Sequence, residues 1–425
     1  MRVCLFEDRD VLRLEPLTYT RPAFDLLCGR TSLGDRQLAH FGAGHDVGCL
    51  VRPLLADLVG MTHPGRRVND LAWLRADAAI LVNSRWLPPT APAADLSSPC
   101  VATIGDDVAY AVVGPEQLTY CSANTLEDCL ETWKQTMPRR PAPGRMISYL
   151  WDLVQGNGEQ IRADFRPSPT SAGALFDGAA LVGPRDLLQV DATARIEPLV
   201  AIDTTGGPVV VDRQATLAAF SRLEGPCYVG PGSHVLGAKI RPGTTLGPCC
   251  RIGGEVEATI VQGYSNKYHD GFLGHAYVGA WVNLGAGTSN SDLRNDYGEV
   301  SVTVNGRRVA SGLTKVGCFV GDHAKTGLGT LLNTGSNIGI FANLLPSGTL
   351  LPKHVPPFAS WWNGALADRA DLTELLRTAA IVTQRRGVPF TETHAALFRA
   401  LFDHTAAQRR QVLREAEQRR LRRTA

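Results

Sequence analysis

The chain of 425 residues contains no apolar run approaching the roughly 20 residues that a membrane-spanning helix needs. Its opening, MRVCLFEDRD, has acids and arginines where a secretory leader carries a long apolar core, so a cytoplasmic protein is expected. Charge of one sign is also lacking. The formal net charge is only +2, which removes any global drive toward nucleic acid or an anionic membrane, and neither is expected as a partner. No CxxC pair occurs among the ten cysteines, and Cys249 and Cys250 are adjacent rather than spaced as ligands. Zinc and a disulfide framework are both disfavoured. Cys4 and Cys28, set among apolar neighbours, read as small hydrophobic core residues.

What is present divides by texture. A hydrophobic content of 44% with 20% charged residues is that of a globular protein, and the length calls for two or three domains. Residues 1–185 hold short apolar runs bounded by turn residues (VCLF near the start, AAILVN at 78–83, VAYAVVG at 108–114). These read as buried strands, and LEDCLETWKQ at 126–135 has helical spacing, so an α/β layer structure is expected. PRRPAPG at 138–144 reads as a loop.

From 186 to 358 an apolar residue returns every six positions. One run is Val320, Thr326, Leu332, Ile338, Leu344 and Leu350; others are Leu223, Val229 and Val235, then Ile240, Leu246 and Ile252, then Phe272, Val278 and Leu284. Glycine follows directly at 230, 247, 253, 279, 285, 321 and 339, where a tight corner has no room for a side chain. A unit this short cannot bury its own core, so coils must stack into a three-sided prism with one inward residue per side. A sandwich or barrel would alternate with period two instead. Between 288 and 314 the ladder breaks, and VSVTV, the turn NG and RRVA alternate as a hairpin. Such an excursion is a functional candidate by position. Residues 359–425 read as a helical extension. Asp371 and Glu374 make a capping box, Gly387 and Pro389 stop that helix, and a second helix carries Leu397, Phe398, Leu401 and Phe402. Arg409, Arg410, Arg414, Arg419, Arg420, Arg422 and Arg423 then read as a solvated basic end, diluted by Glu415 and Glu417.

The most distinctive polar segment is NKYHDGFLGHAYVGAWVNLGAGT at 266–288. It resembles the acetyltransferase half of the bifunctional bacterial UDP-N-acetylglucosamine pyrophosphorylase / glucosamine-1-phosphate N-acetyltransferase. The whole chain is similar to a variant family of sugar nucleotidyltransferases related to it. The likeness covers most of 1–358 by architecture and 238–300 by motif. It implies a left-handed parallel β-helix over 186–358, a nucleotidyltransferase-like α/β domain over 1–185, and a homotrimer. A left-handed wind departs from the usual crossover hand and rests on the resemblance alone.

The resemblance implies that His269 is the general base for attack of an amine on acetyl-CoA, a task suited to an imidazole titrating near neutral pH. It implies that Arg241, in AKIRPG, holds a sugar phosphate, and that Asn283, Asn295 and Tyr297, beside Asp296, contact substrate. The family's basic lysine is missing from EVEATIV at 255–261, and Lys267 or Lys325 is expected to substitute. His275, His323 and His354 read as structural. The N-terminal region has no glycine-rich phosphate loop. Its segment LEPLTYTRPAFDLLCGRTSL instead resembles the opening of the variant family. Arg21 and Arg30 are candidates for nucleotide phosphates, Asn83 and Arg85 for the sugar or base, and Asp8, Asp152 and Asp164 for magnesium, with no diagnostic spacing for a metal site. The expected activities are nucleotidyl transfer from a nucleoside triphosphate, UTP by the resemblance, to a sugar 1-phosphate, and acetylation of an amino-sugar phosphate. Two alternatives stay open: a nucleotidyltransferase with the β-helix as an oligomerisation or regulatory platform, and a non-catalytic sugar-nucleotide scaffold.

Overall fold

The computed structural model describes residues 2–42, 44–93, 96, 98–167, 178–346, 351–369 and 371–424. The chain divides into two compact units, Met1–Leu14 with Thr20–Leu26 and Thr31–Tyr149, and Glu15–Tyr19 with Leu27–Arg30 and Leu150–Ala425. The division at 149 differs from the boundary read at 185. The helix Leu150–Asp164 belongs to the second unit, where Asn157 donates to Gly243 O (2.8 Å) and Thr245 Oγ1 (3.0 Å).

In the first unit a seven-stranded sheet runs in the order Arg139–Pro141, Cys100–Ile104, Asp107–Val113, Ala79–Asn83, Arg2–Phe6, Asp46–Leu50, Arg67–Val68. Arg2–Phe6 lies parallel to both of its neighbours, while Asp107–Val113 is antiparallel to its own. Ala79–Asn83 is buried along its whole length, as a central strand covered on both faces must be. PRRPAPG is not wholly a loop. Arg139–Pro141 pairs with Val101–Thr103 at the sheet edge, the one place where a strand tolerates proline. The helix expected at 126–135 spans Leu126–Thr136.

The second unit is the hexapeptide-repeat prism, a parallel β-helix. Its strands stack in parallel on three faces, and the six-residue phase walks around them. Val320 and Ile338 lie on one face, Thr326 and Leu344 on the next, Leu332 on the third, and all are buried. Leu350 lies outside the described residues. Leu223, Ile240, Val256 and Leu273 stack in register as one inward column. Phe272, read as inward, is therefore one residue out of phase, because the side from the inward Leu273 to the inward Val278 is one residue short of six. The glycines after inward positions are dictated by the neighbouring coil. A Cβ at Gly253 would lie 2.1 Å from Tyr268 O, and one at Gly247 2.3 Å from Gln262 O.

One corner of the prism takes left-handed backbone at Tyr264, Trp281, His323, Phe341 and Phe358, where glycine or asparagine is the usual choice. Their rings form a ladder, with centroids 4.4 Å apart for Tyr264–Trp281, 4.7 Å for His323–Phe341 and 5.1 Å for Phe341–Phe358. Phe398 and Phe402, from the helix Glu392–His404, meet the lower rungs edge-on at 4.8 to 5.3 Å. Stacking and burial thus offset the backbone strain and dock the extension.

The prism begins before 186 and ends after 358. Ala180–Val182 already pairs with Ala201–Asp203, and Ala359–Trp362 continues a face and turns back as a hairpin with Ala365–Asp368. Helices Leu372–Gln384, Glu392–His404 and Ala406–Thr424 follow. Arg409 is not part of a solvated basic end. It is 1% exposed, pairs with Asp368 at 2.8 Å and lies over the Phe402 ring. The excursion leaves after Asn290 and returns at Gly317, with an antiparallel bridge Leu293–Lys315 across its neck. Its hairpin, Ser301–Val304 with Arg307–Ala310, turns at Asn305–Gly306, both at positive φ. Val302 and Val304 are buried, and Asn337 donates to Thr303 O at 2.9 Å, so the hairpin folds back onto the prism.

Candidate active site

In the N-terminal unit the expected ligand contacts become a structural knot. Arg85 is 0% exposed and grips Asp8 with Nε (2.7 Å) and Nη2 (2.6 Å), while Nη1 donates to Ile147 O at 2.9 Å. Burial alone would lower its pKa, but the hydrogen bond and charge of Asp8, aided by Asp107 and Asp10, raise it instead. Asn83, 1% exposed, spends its amide on Asp8 (2.8 Å) and Val108 O (3.0 Å) and its oxygen on Arg85 N (2.9 Å). Neither side chain is open to a sugar or base. Arg30 falls in the other unit, bonded to Gln189 at 3.2 Å and set over the Tyr228 ring. Arg21 stays in this unit with a half-buried side chain. The magnesium carboxylates are divided between the two units. Asp152 and Asp164 lie on Leu150–Asp164 of the second unit, Asp164 accepting from Arg30 N at 2.9 Å, while Asp8 is held by Arg85. Among the described residues no group of three His, Cys, Asp or Glu is placed to hold a metal.

The prism unit places His269 in a cavity of about 500 Å³, lined also by Arg251, Asn266, Tyr268, Asn283, Leu284, Gly285, Ala286, Leu328, Arg385 and Arg386. His269 stands exposed on the turn between the strands Asn266–Lys267 and Phe272–Gly274, its ring 5.1 Å from that of Tyr268. Two contacts fix this turn. Gly287 N donates to Asp270 O (3.0 Å), and the Lys267 ammonium donates to His269 O (3.0 Å) and Gly253 O (3.0 Å). Lys267 therefore does not replace the missing phosphate lysine. It follows Val235 and Ile252 in an inward column, is 2% exposed, and burial pulls its pKa down to about 8. Asn283 faces outward beside Asn266, which donates to it at 3.3 Å. Lys325 is next in that outward column but lies outside the cavity, and burial, with Arg369 nearby, lowers its pKa.

Arg241 is not in the cavity either. Glu255 (3.3 Å) and Glu224 (3.7 Å) flank it and balance its charge. Asn295 and Tyr297 are exposed on the excursion, Asp296 is tied to Arg294, and none of the three lines the cavity. His275 pairs with Asp292 at 2.7 Å at the foot of the excursion. Burial acts to raise the Asp292 pKa, but the histidine's hydrogen bond and charge hold it below the carboxylate range. His323 is a rung of the aromatic ladder, and burial lowers His354 to about 4.

Sequence reasoning missed Arg251, Arg385 and Arg386. Arg251 precedes an inward isoleucine, an outward position by phase. Arg385 and Arg386 close the helix Leu372–Gln384, whose end is set by Gly387 at φ +69° with Val388 N donating to Thr383 O (3.1 Å). Cations there also meet the negative end of the helix dipole. Arg386 Nη2 donates to Asn266 Oδ1 at 2.7 Å, which draws the extension onto the coil beside His269.

Residues 3–168 match the family described as sugar nucleotidyl transferase. The chain is 35% identical over 123 residues to the bifunctional sugar-1-phosphate nucleotidylyltransferase/acetyltransferase of Sulfurisphaera tokodaii, a match covering 28% of this chain and 29% of that one. It is 29% identical over 225 residues to the bifunctional protein GlmU of Jannaschia sp., covering 50% and 43%. The chain thus spans less than two thirds of the length of these relatives. Among solved structures, the UDP-N-acetylglucosamine acyltransferase of Francisella novicida aligns with 50% of this chain and 73% of its own at 13% identity and a TM-score of 0.31. The fold itself is read from the strand register.

Proposed function

We propose that the prism unit transfers an acetyl group from acetyl-CoA to the amine of an amino-sugar phosphate, with His269 as general base. The observation that carries this is the meeting of His269 and Asn283 in one cavity, on a coil whose turn is fixed from both sides. The amine nitrogen attacks the thioester carbonyl, the C–N bond forms, and His269 takes the ammonium proton. The C–S bond then breaks and the proton passes to the departing thiolate. No carboxylate pairs with His269 among the described residues, so its imidazole is free to accept. Asn283 has an amide nitrogen left to orient the sugar.

The N-terminal unit, by its family match, is proposed to transfer a nucleotidyl group to a sugar 1-phosphate, the triphosphate (UTP by resemblance) arriving as its magnesium complex. The protein is proposed to act in the cytoplasm as a homotrimer. No helix among the described residues is long and apolar enough to cross a membrane.

Incubation with glucosamine 1-phosphate, acetyl-CoA, UTP and magnesium, reading thiol and pyrophosphate separately, tests both halves. His269→Ala is expected to lower thiol release by about 10² to 10⁴ and leave pyrophosphate unchanged. Undiminished thiol release would remove the role given to His269. The platform reading gains support from Arg241, whose charge is balanced by Glu224 and Glu255, and it predicts pyrophosphate without thiol.

A further inference from the structure

The cavity beside His269 carries cations that have no ion-pair partner among the described residues. Arg251 donates through Nη1 to Gly232 O (2.9 Å) and Cys250 O (3.0 Å), carbonyls that bond the guanidinium without neutralising it. Arg386 bonds the neutral Asn266, and no ion pair to Arg251, Arg385 or Arg386 occurs among the described residues. Arg251 and Arg386 approach each other, and Arg385 lines the same cavity. Burial and then Arg386 lower the Arg251 pKa, and burial followed by Arg251 and Arg386 lowers that of His234. A helix C-terminus accounts for arginines at 385 and 386, but not for a third one that lines the same cavity from a coil of the prism. Unpaired like charges around a cavity mark a place where an anion relieves repulsion, and planar guanidinium forks suit phosphate oxygens.

We propose that Arg251 with Arg385 and Arg386 forms an anion subsite that holds the phosphate of the acceptor, taking over the task that the family pattern gives to Arg241 and its missing lysine. This rests on the cavity being the acyl-transfer site. The extension thereby contributes binding residues as well as covering the prism. A volume of about 500 Å³ matches a small phosphorylated sugar. The phosphates of the acyl carrier share the same chemistry, so the test must separate the two sources.

Calorimetric titration of the full chain with glucosamine 1-phosphate, glucosamine, CoA and 3′-dephospho-CoA separates them. R385Q/R386Q and R251Q are each expected to weaken glucosamine 1-phosphate binding by roughly tenfold or more, with CoA and dephospho-CoA within about twofold of wild type. R385K/R386K keeps the charge and is expected to recover most of the loss, which a merely misfolded extension would not do. Should the double glutamine variant fail to fold, R251Q and the lysine pair carry the test. A loss confined to CoA would overturn the acceptor assignment, and unchanged affinity for every ligand would overturn the subsite. Binding is read without turnover, so this result and that for His269→Ala fail independently.

Discussion

Lys267 offers the most quantitative test, because an ammonium inside the prism must weaken the fold wherever it is charged. Its pKa is about 8 against an ordinary 10.5, so the unfolded chain binds the proton more tightly. Below about pH 8 both states are protonated and the full penalty, about 3 kcal/mol, is present. As pH rises from 8 toward 10.5 the folded state has already lost its proton, the penalty fades, and stability rises. Between pH 8 and 10 the relief is about 2 kcal/mol, which at a urea slope of about 3 kcal/mol/M moves the midpoint up by roughly 0.7 M. Other groups oppose this trend. Burial raises Cys250 and Cys318 to about 12, so their unfolded thiols ionise first and draw stability down above pH 9. The measurement is therefore the difference between wild type and Lys267→Met, by urea denaturation followed by fluorescence at each pH. The wild type should gain about 2 kcal/mol over the variant from pH 8 to 10. Parallel pH profiles would refute the buried, depressed lysine.

Replacing Arg85 by Met strands Asp8 in the N-terminal unit and should destabilise that unit by about 3 to 5 kcal/mol, seen as a lowered melting transition; an unchanged transition would contradict the buried knot. Phe398→Ala removes the ring that meets both His323 and Phe341 and should cost about 3 to 5 kcal/mol in docking of the extension. Limited proteolysis near residue 385 should accelerate accordingly, and equal cleavage rates would show that the ladder does not anchor it. Gly253→Ala puts a methyl against Tyr268 O, so it should displace the turn bearing His269, lower kcat for acyl transfer and spare nucleotidyl transfer. Full acyl-transfer activity in that variant would mean the turn is not held by its neighbouring coil.

The prism was legible because its code is local. Val320, Thr326, Leu332, Ile338 and Leu344 repeat faithfully enough that one inward residue per side can be counted without coordinates. The count failed where coils fall short of eighteen residues, which misassigned Phe272 and made a core lysine look like a surface one. Polar residues in the N-terminal unit misled for a different reason. Asn83 ends a buried strand and Arg85 follows it, where a ligand contact and a satisfied internal pair look alike in sequence, and only the grip on Asp8 separates them. His269 and Asn283 could be found from a motif because they lie on successive coils. Arg251 and Arg386 share a cavity across more than a hundred residues, a nearness that hexad phase does not encode.

The excursion between Asn290 and Gly317 begins and ends at one corner, its neck clamped by Leu293–Lys315 and by His275–Asp292. Tyr277 pairs directly with Phe319, so the solenoid continues as though the intervening chain were absent. Closing a longer loop at a fixed neck adds little entropy, since each doubling of its length costs only about 0.6 kcal/mol. The excursion can thus be lengthened at its Asn305–Gly306 tip while the stack of coils keeps its count and the buried valines of the hairpin stay in place. In descent or in engineering that tip is an insertion point, where new recognition can be tried without renegotiating the architecture that carries it.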